Sequence, residues 1–344
     1  MPLGRGKNRL TAVVGAGGGI NRTWTMVEAA NKALSTILSE NRNVVMLGED
    51  IEDPKGGVFG MSKGLSSRFP HQVHNSPLAE ATIAGLASGL VMMDMIPVFE
   101  LQFIDFVGTA LNQLFNQLGT LCWRSNGRIQ GPSVFLAPCG GYISGAGPWH
   151  SQSGESLLSH AYGIRVVMPH TAQQAADAIA SAVGGQGPVV ILLPKKQFFR
   201  KFNLTDEDTS PSSVVHEGED ITLVCWGNCV EVAEQAKEEL LKQSINCELI
   251  ALKTLYPIEL DAIKASLAKT GRLIVIQEDA RTCSIGQSII AELAMDIHVW
   301  DMMFAPPMLI SRPDMLLPFH HNTMLALLPD VEKITHAVLH SLRQ

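Results

Sequence analysis

The sequence predicts an α/β protein made of two doubly wound domains, and three observations carry that prediction. Short, almost unbroken apolar runs alternate with segments of helical period, the pattern of a parallel sheet covered by helices on both faces. The alternation stops at a polar stretch, residues 201–218 (KFNLTDEDTSPSSVVHEG), and then restarts. The chain has 344 residues of which 46% are hydrophobic, enough to fill two cores. The expected organisation is an N-terminal arm (1–22), a first domain (23–200), a linker (201–218) and a second domain (219–344).

In the first domain, residues 24–40 show helical period, with Met26, Ala29, Ala33, Leu34 and Ile37 on one face. Asn43–Gly48 is an apolar strand that runs into Glu49 and Asp50, and α/β sheets bind ligands beyond such carboxyl ends. The glycine-rich run 54–59 lacks the spacing of a known phosphate loop. Ser76 and Pro77 suit an N-cap and a first helical position, so a helix is expected there with Glu80 in its first turn. Ala81, Ala84, Gly85 and Ser88 lie on one face of that helix, and glycine there costs about 1 kcal/mol against alanine, so a close neighbour is expected. Ile96–Leu101 reads as a strand and 105–121 as a helix. A third strand, Pro132–Ala137, opens into a long glycine-rich loop ending in His150-Ser-Gln152, and long irregular loops usually carry function. Strands at Ile164–Met168 and Val189–Leu193 flank a helix at Ala172–Val183.

The second domain repeats the pattern: strands at Ile221–Cys225, Cys247–Ala251 and Leu273–Gln277, helices at Val230–Gln243, Leu260–Leu267 and Ile285–Ala294, and a last short strand at His298–Asp301.

Composition excludes several classes. A net charge of −7 argues against nucleic-acid binding, which needs a basic patch. The apolar stretch 83–99 is broken by Asp94 and Pro97, so no membrane span is expected. Six cysteines without a CxxC pair or His cluster read as reduced thiols of an intracellular protein, with neither disulfide framework nor metal site. Charged residues make up only 17%, low for a soluble chain, which fits surface buried against partner subunits. The basic arm 1–22 lacks a signal-peptide core. On the residues alone, Glu80 stays open between a carboxylate stabilised by the helix dipole, worth about 0.3–1 kcal/mol, and a catalyst. His150 stays open between a structural and a catalytic histidine.

Eight segments in order bear on that choice: Leu47-Gly-Glu-Asp50, Gly57-Val-Phe59, Ser76-Pro-Leu-Ala-Glu80, Glu100-Leu-Gln-Phe103, His150-Ser-Gln152, Val166-Val-Met-Pro169, Lys269-Thr-Gly-Arg272 and Glu278. In these the chain resembles the beta subunit of the thiamin-diphosphate-dependent decarboxylase component of 2-oxoacid dehydrogenases, of the pyruvate and branched-chain type. The resemblance implies a pyrimidine-binding domain followed by a transketolase C-terminal domain. It implies that Glu80 bonds the N1′ nitrogen of the cofactor's aminopyrimidine, with Glu49, Gln102 and Phe106 also cofactor-binding. It makes His150 an acid or base in acyl transfer, so the catalytic pair is Glu80 and His150.

No Gly-Asp-Gly, the family's Mg²⁺ and diphosphate anchor, occurs in the chain. The resemblance therefore implies an alpha subunit that holds most of the Mg²⁺ site, an α2β2 assembly, a 2-oxoacid substrate and a lipoyl-bearing dihydrolipoyl acyltransferase as acceptor. The expected compartment is the cytoplasm, or the mitochondrial matrix in a eukaryote. Leu136, Asn112 and Tyr162 depart from the family pattern, and Gly185 and Gly187 leave only backbone carbonyls where the family binds potassium, which puts that ion in doubt. Two alternatives stand beside this reading: a subunit of a split transketolase or acetoin-type enzyme, and a non-catalytic beta-like subunit.

Overall fold

The computed structural model describes residues 23–203 and 210–344, so the expectation for the arm 1–22 lies outside the described residues. The first sheet has seven strands. In chain order they are β2 (Val44–Gly48), β3 (Val73–Asn75), β4 (Ile96–Glu100), β5 (Ser133–Cys139), β6 (Arg165–Val167), β7 (Pro188–Pro194) and β12 (Thr254–Tyr256), laid out in the order β12-β6-β7-β5-β4-β2-β3. All pairs are parallel except β12 with β6.

Alternate residues of each strand enter different cores, which is why the strands read as unbroken apolar runs. Val134, Leu136, Val189, Ile191 and Leu193 pack under helices α1 (Met26–Glu40) and α6 (Ala172–Val183). Phe135, Ala137, Val190 and Leu192 face the other way, into a core shared with α3 (Glu80–Met92) and the second domain. Helix α1 starts at a capping box, in which Thr25 Oγ1 accepts the Glu28 N–H and Glu28 accepts the Thr25 N–H.

The second sheet runs β14-β13-β10-β11-β9, from β9 (Ser212–His216), β10 (Ile221–Cys225), β11 (Cys247–Leu252), β13 (Leu273–Ala280) and β14 (Met308–Arg312). Helices α7 (Cys229–Leu241) and α12 (Val331–Ser341) cover one face. On the other, α8 (Asp261–Thr270) and α9 (Ile285–Met295) join the core that reaches the first domain through Val224, Trp226, Ile250 and Leu252.

Four expectations are corrected. Helix α3 starts at Glu80 rather than Ser76, because the Ser76 N–H bonds the Gly48 carbonyl (2.8 Å) and prolongs the extended chain; its N-cap, Ala79, makes no side-chain bond. Residues 105–121 do not form one regular helix: a 3-10 segment (Ile104–Ala110) leads through a π segment (Gln113–Leu118) into α4 (Gly119–Arg124). His298–Asp301 is not a strand; the Asp296 carboxylate accepts the His298 N–H and starts the short helix α10 (Ile297–Trp300), and the last strand is β14. The stretch 201–218, expected to be a plain linker, carries two strands: β8 (Lys201–Asn203), antiparallel to β1 (Thr23–Thr25), and β9, antiparallel to β11. No described helix is long and apolar enough to cross a membrane.

Candidate active site

Parallel strands point their carboxyl ends the same way, so the turns at the ends of β2, β4, β5 and β7 converge on one crevice. The residues after β2 are Glu49 and Asp50; those after β4 are Leu101, Gln102 and Phe103. Because Gly48 is in register with Glu100, these two turns lie side by side. Gln102 Nε2 donates to Asp50 Oδ2 (3.4 Å), and Lys55 Nζ also bonds that oxygen.

Glu49 is 3% exposed, and its Oε1 has no hydrogen-bond partner. Burial pushes its carboxyl up, the nearby Glu80 pushes it further, and the Ala79 backbone N–H partly offsets both. Glu80 is half-buried at the first position of α3. Its Oε2 accepts from Thr109 Oγ1 (3.2 Å), a hydroxyl equally close to the Phe106 carbonyl (3.2 Å), so the helix start is tied to the turn that bears Phe106. The second oxygen of Glu80 takes no hydrogen bond from the described residues, which leaves it able to receive a donor from a ligand.

The loop after β5 brings His150 against that turn. Its ring stands edge-on to Phe103 (4.5 Å between centroids, 80°) and to Phe106 (5.6 Å, 90°), and Phe103 also meets Phe59 edge-on at 5.6 Å. His150 Nδ1 lies 3.3 Å from the Ala146 carbonyl. Asp105 Oδ1 accepts the N–H groups of Ser151 (2.9 Å) and Gln152 (3.0 Å), which fixes the end of the loop. The structure thus brings Glu49, Glu80, Gln102, Phe106 and His150 to one region. Thr109, Asp105 and Lys195, which complete it, were not expected from the sequence.

On α3, Ala84 is buried in its own core, and an atom built as a side chain on Gly85 would stand 3.8 Å from Gln113. Ala81, Gly85, Leu86, Gly89 and Met93 line an open groove, so the close neighbour expected along this face is only partly supplied by the chain itself.

The description "Transketolase, pyrimidine binding domain" matches residues 22–200, and "Transketolase, C-terminal domain" matches residues 212–334. The chain is 35% identical over 301 residues to the "Pyruvate dehydrogenase E1 component subunit beta" of Bacillus subtilis, covering 86% of this chain and 91% of that one. It is 34% identical over 294 residues to the "2-oxoisovalerate dehydrogenase subunit beta" of the same organism, covering 84% and 89%. The chain belongs to the 2-oxoacid dehydrogenase beta-subunit family. In fold it is similar to a split-gene transketolase solved as an inactive beta tetramer, with a TM-score of 0.74, 22% identity, and coverage of 93% of this chain and 98% of that chain. It is also similar in fold to a transketolase of Pichia stipitis, at TM-score 0.69 and 11% identity, over 94% of this chain and 46% of that one.

Family membership makes this a thiamin-diphosphate-dependent type of chain. The crevice fits the pyrimidine half of that cofactor: a carboxylate with an open oxygen, a second buried carboxyl with an orphaned oxygen, and aromatic rings beside them. Among the described residues no cluster of His, Cys, Asp or Glu could hold a metal ion. At the turn after α6, an atom built as a side chain on Gly185 would stand 2.9 Å from the Ser181 carbonyl and 3.2 Å from a guanidinium nitrogen of Arg165. The Arg165 guanidinium thus lies on the side of Gly185 that a side chain would occupy.

Proposed function

We propose that this chain is the catalytic beta subunit of a 2-oxoacid dehydrogenase decarboxylase component, active only with an alpha subunit in an α2β2 assembly. It would take part in oxidative decarboxylation of a 2-oxoacid and transfer of the acyl group to a lipoyl-bearing acyltransferase, in the cytoplasm or, in a eukaryote, the mitochondrial matrix. Thiamin diphosphate supplies the carbanion chemistry when bound; Mg²⁺ would be held mainly by the alpha subunit, and no step runs through potassium.

The observation that carries this reading is Glu80, whose open oxygen stands at a helix start tied through Thr109 to the Phe106 turn. Glu80 would hold a proton at the pyrimidine N1′, with Glu49 and Gln102 behind it. Phe106 would stack on the ring, and His150, edge-on to Phe106, would give and take a proton during acyl transfer.

The test is co-expression with an alpha-type subunit and assay of 2-oxoacids with thiamin diphosphate, Mg²⁺ and a lipoyl domain. Glu80→Gln should lower turnover about 10²–10⁴-fold, the range for a lost acid–base group. Unchanged turnover would remove Glu80 from the chemistry and favour a non-catalytic subunit. Acyl transfer to a sugar in place of the lipoyl domain would favour the split-transketolase reading.

A further inference from the structure

A buried lysine lies behind the His150 loop. Lys195 is 3% exposed and sits just past the end of β7, a strand buried at every residue. Burial pushes its amine down, and Asp105 and Glu278 are the carboxylates that oppose that shift. An ammonium in such a place is costly unless it is paired and hydrogen-bonded. Its contacts are specific: Nζ donates to the backbone carbonyl of His150 and lies 4.9 Å from the centre of the Phe103 ring, the ring that meets His150 edge-on.

The two balancing carboxylates hold the same loop. Asp105 takes the N–H groups of Ser151 and Gln152 at its far end. Glu278, on β13 of the second domain, takes the Gly141 N–H at its near end and the Asn228 amide at 2.8 Å. The loop closes on itself where the Gly140 N–H meets the Gln152 carbonyl (2.7 Å), and Arg312 of β14 donates to Gln152 Oε1 (2.8 Å). Lys195 is thus the central cation of a clamp whose parts come from both domains.

We propose that Lys195 is a positioning residue for the reaction: its ammonium, bonded to the His150 carbonyl, fixes the loop that presents the His150 imidazole to the substrate. The inference rests on the catalytic role proposed above for His150, and its effect on the reaction is exerted through that residue.

The test uses Lys195→Met, which keeps the stem and loses the charge, and Lys195→Gln, which keeps a donor for the carbonyl. Amide hydrogen exchange is measured on the full chain without partners. Lys195→Met should speed exchange at Gly141, Ser151 and Gln152 about tenfold, with β5 and β7 unchanged, and Lys195→Gln should fall between it and the parent. In the reconstituted complex, kcat should drop about 100-fold in Lys195→Met while KM for the 2-oxoacid stays the same, as expected when a reacting group is misplaced by about 1 Å. Unchanged exchange in whichever variant folds, or a loosened loop with undiminished kcat, would overturn the proposal. A loop loosened in Lys195→Met, together with a parent complex that has no 2-oxoacid activity, would instead count against the function proposed above.

Discussion

The carboxyl of Glu100 lies so close to the backbone of Gly57 that a side chain on Gly57 would collide with its Oε1. The contact joins the end of β4 to the loop beyond Glu49 and Asp50, and so sets one turn of the crevice against the other. Glu100 is fully buried and faces the Ser62 hydroxyl, and burial raises its pKa from 4.5 to about 8. The neighbouring strands β2 and β5 carry no charged side chain. The loop's own charges are engaged elsewhere: Asp50 with Lys55, Asp53 with Ser66 and Ser67, and Glu52 with Asn75, while Lys63 is exposed.

A carboxyl held protonated in the folded chain and ionised in the unfolded one gives a definite pH dependence. The contribution of Glu100 to stability should be fully present below about pH 4.5, fall as pH rises, and be lost once pH passes about 8. Glu100→Gln, which cannot ionise, should remove this slope. Thermal midpoints of the two proteins between pH 5 and pH 9 would check it; parallel curves would show that Glu100 ionises freely in the native state.

Gly57→Ala should destabilise the chain by about 2 kcal/mol or more. Its φ of +79° is left-handed, which costs about 1–2 kcal/mol for a residue with a side chain, and the new methyl would also strike Glu100. Urea titration reads the change as a lower midpoint at unchanged slope. Enlarging the space by Glu100→Ala in the same chain should recover part of the loss, because the steric part and the dihedral part are separate.

Trp226→Phe should cost about 2–3 kcal/mol. The indole Nε1 donates to Glu155 Oε1 at 3.0 Å, both groups are buried, and the other oxygen of Glu155 already has no partner. Removing the donor takes the Trp226 bond from a buried carboxyl and leaves the domain junction slightly underpacked. The same denaturation measurement applies, and a loss below about 0.5 kcal/mol would mean that Glu155 finds another donor.

All six cysteines are free thiols, and only Cys122 and Cys283 are exposed. Burial pushes Cys139, Cys225, Cys229 and Cys247 up, away from the reactive thiolate. A thiol reagent added to the isolated native chain should therefore label two cysteines quickly and four only on unfolding. Cys122→Ser with Cys283→Ser should abolish the fast phase.

The parts of the crevice legible in the sequence are those carried by short local patterns. Glu80 at a helix start and His150 at the end of a glycine-rich loop could be singled out from their own neighbourhoods, with their roles left open, whereas Glu49, Gln102 and Phe106 could be assigned through the family resemblance. Lys195, Asp105 and Thr109 could not, because their roles exist only where distant turns meet; Lys195 in particular looks like one of a pair of ordinary surface lysines after an apolar run. The misread elements fail for the same reason. The run at 298–301 has a strand-like composition, but the Asp296 cap decided it for a helix turn. The polar stretch 201–218 reads as linker because β8 and β9 are short, partly exposed strands whose partners, β1 and β11, lie far away in sequence.

One consequence of the strand order concerns assembly of the chain itself. The outermost strand beyond β6 is β12, which the first 200 residues do not contain. Until the second half is made and docked, β6 presents a bare row of N–H and C=O groups, the kind of edge that invites pairing with other chains. The first half therefore lacks the strand that covers this edge, which comes from the half made after it. Dividing the gene at the polar stretch would separate an exposed edge from its cover.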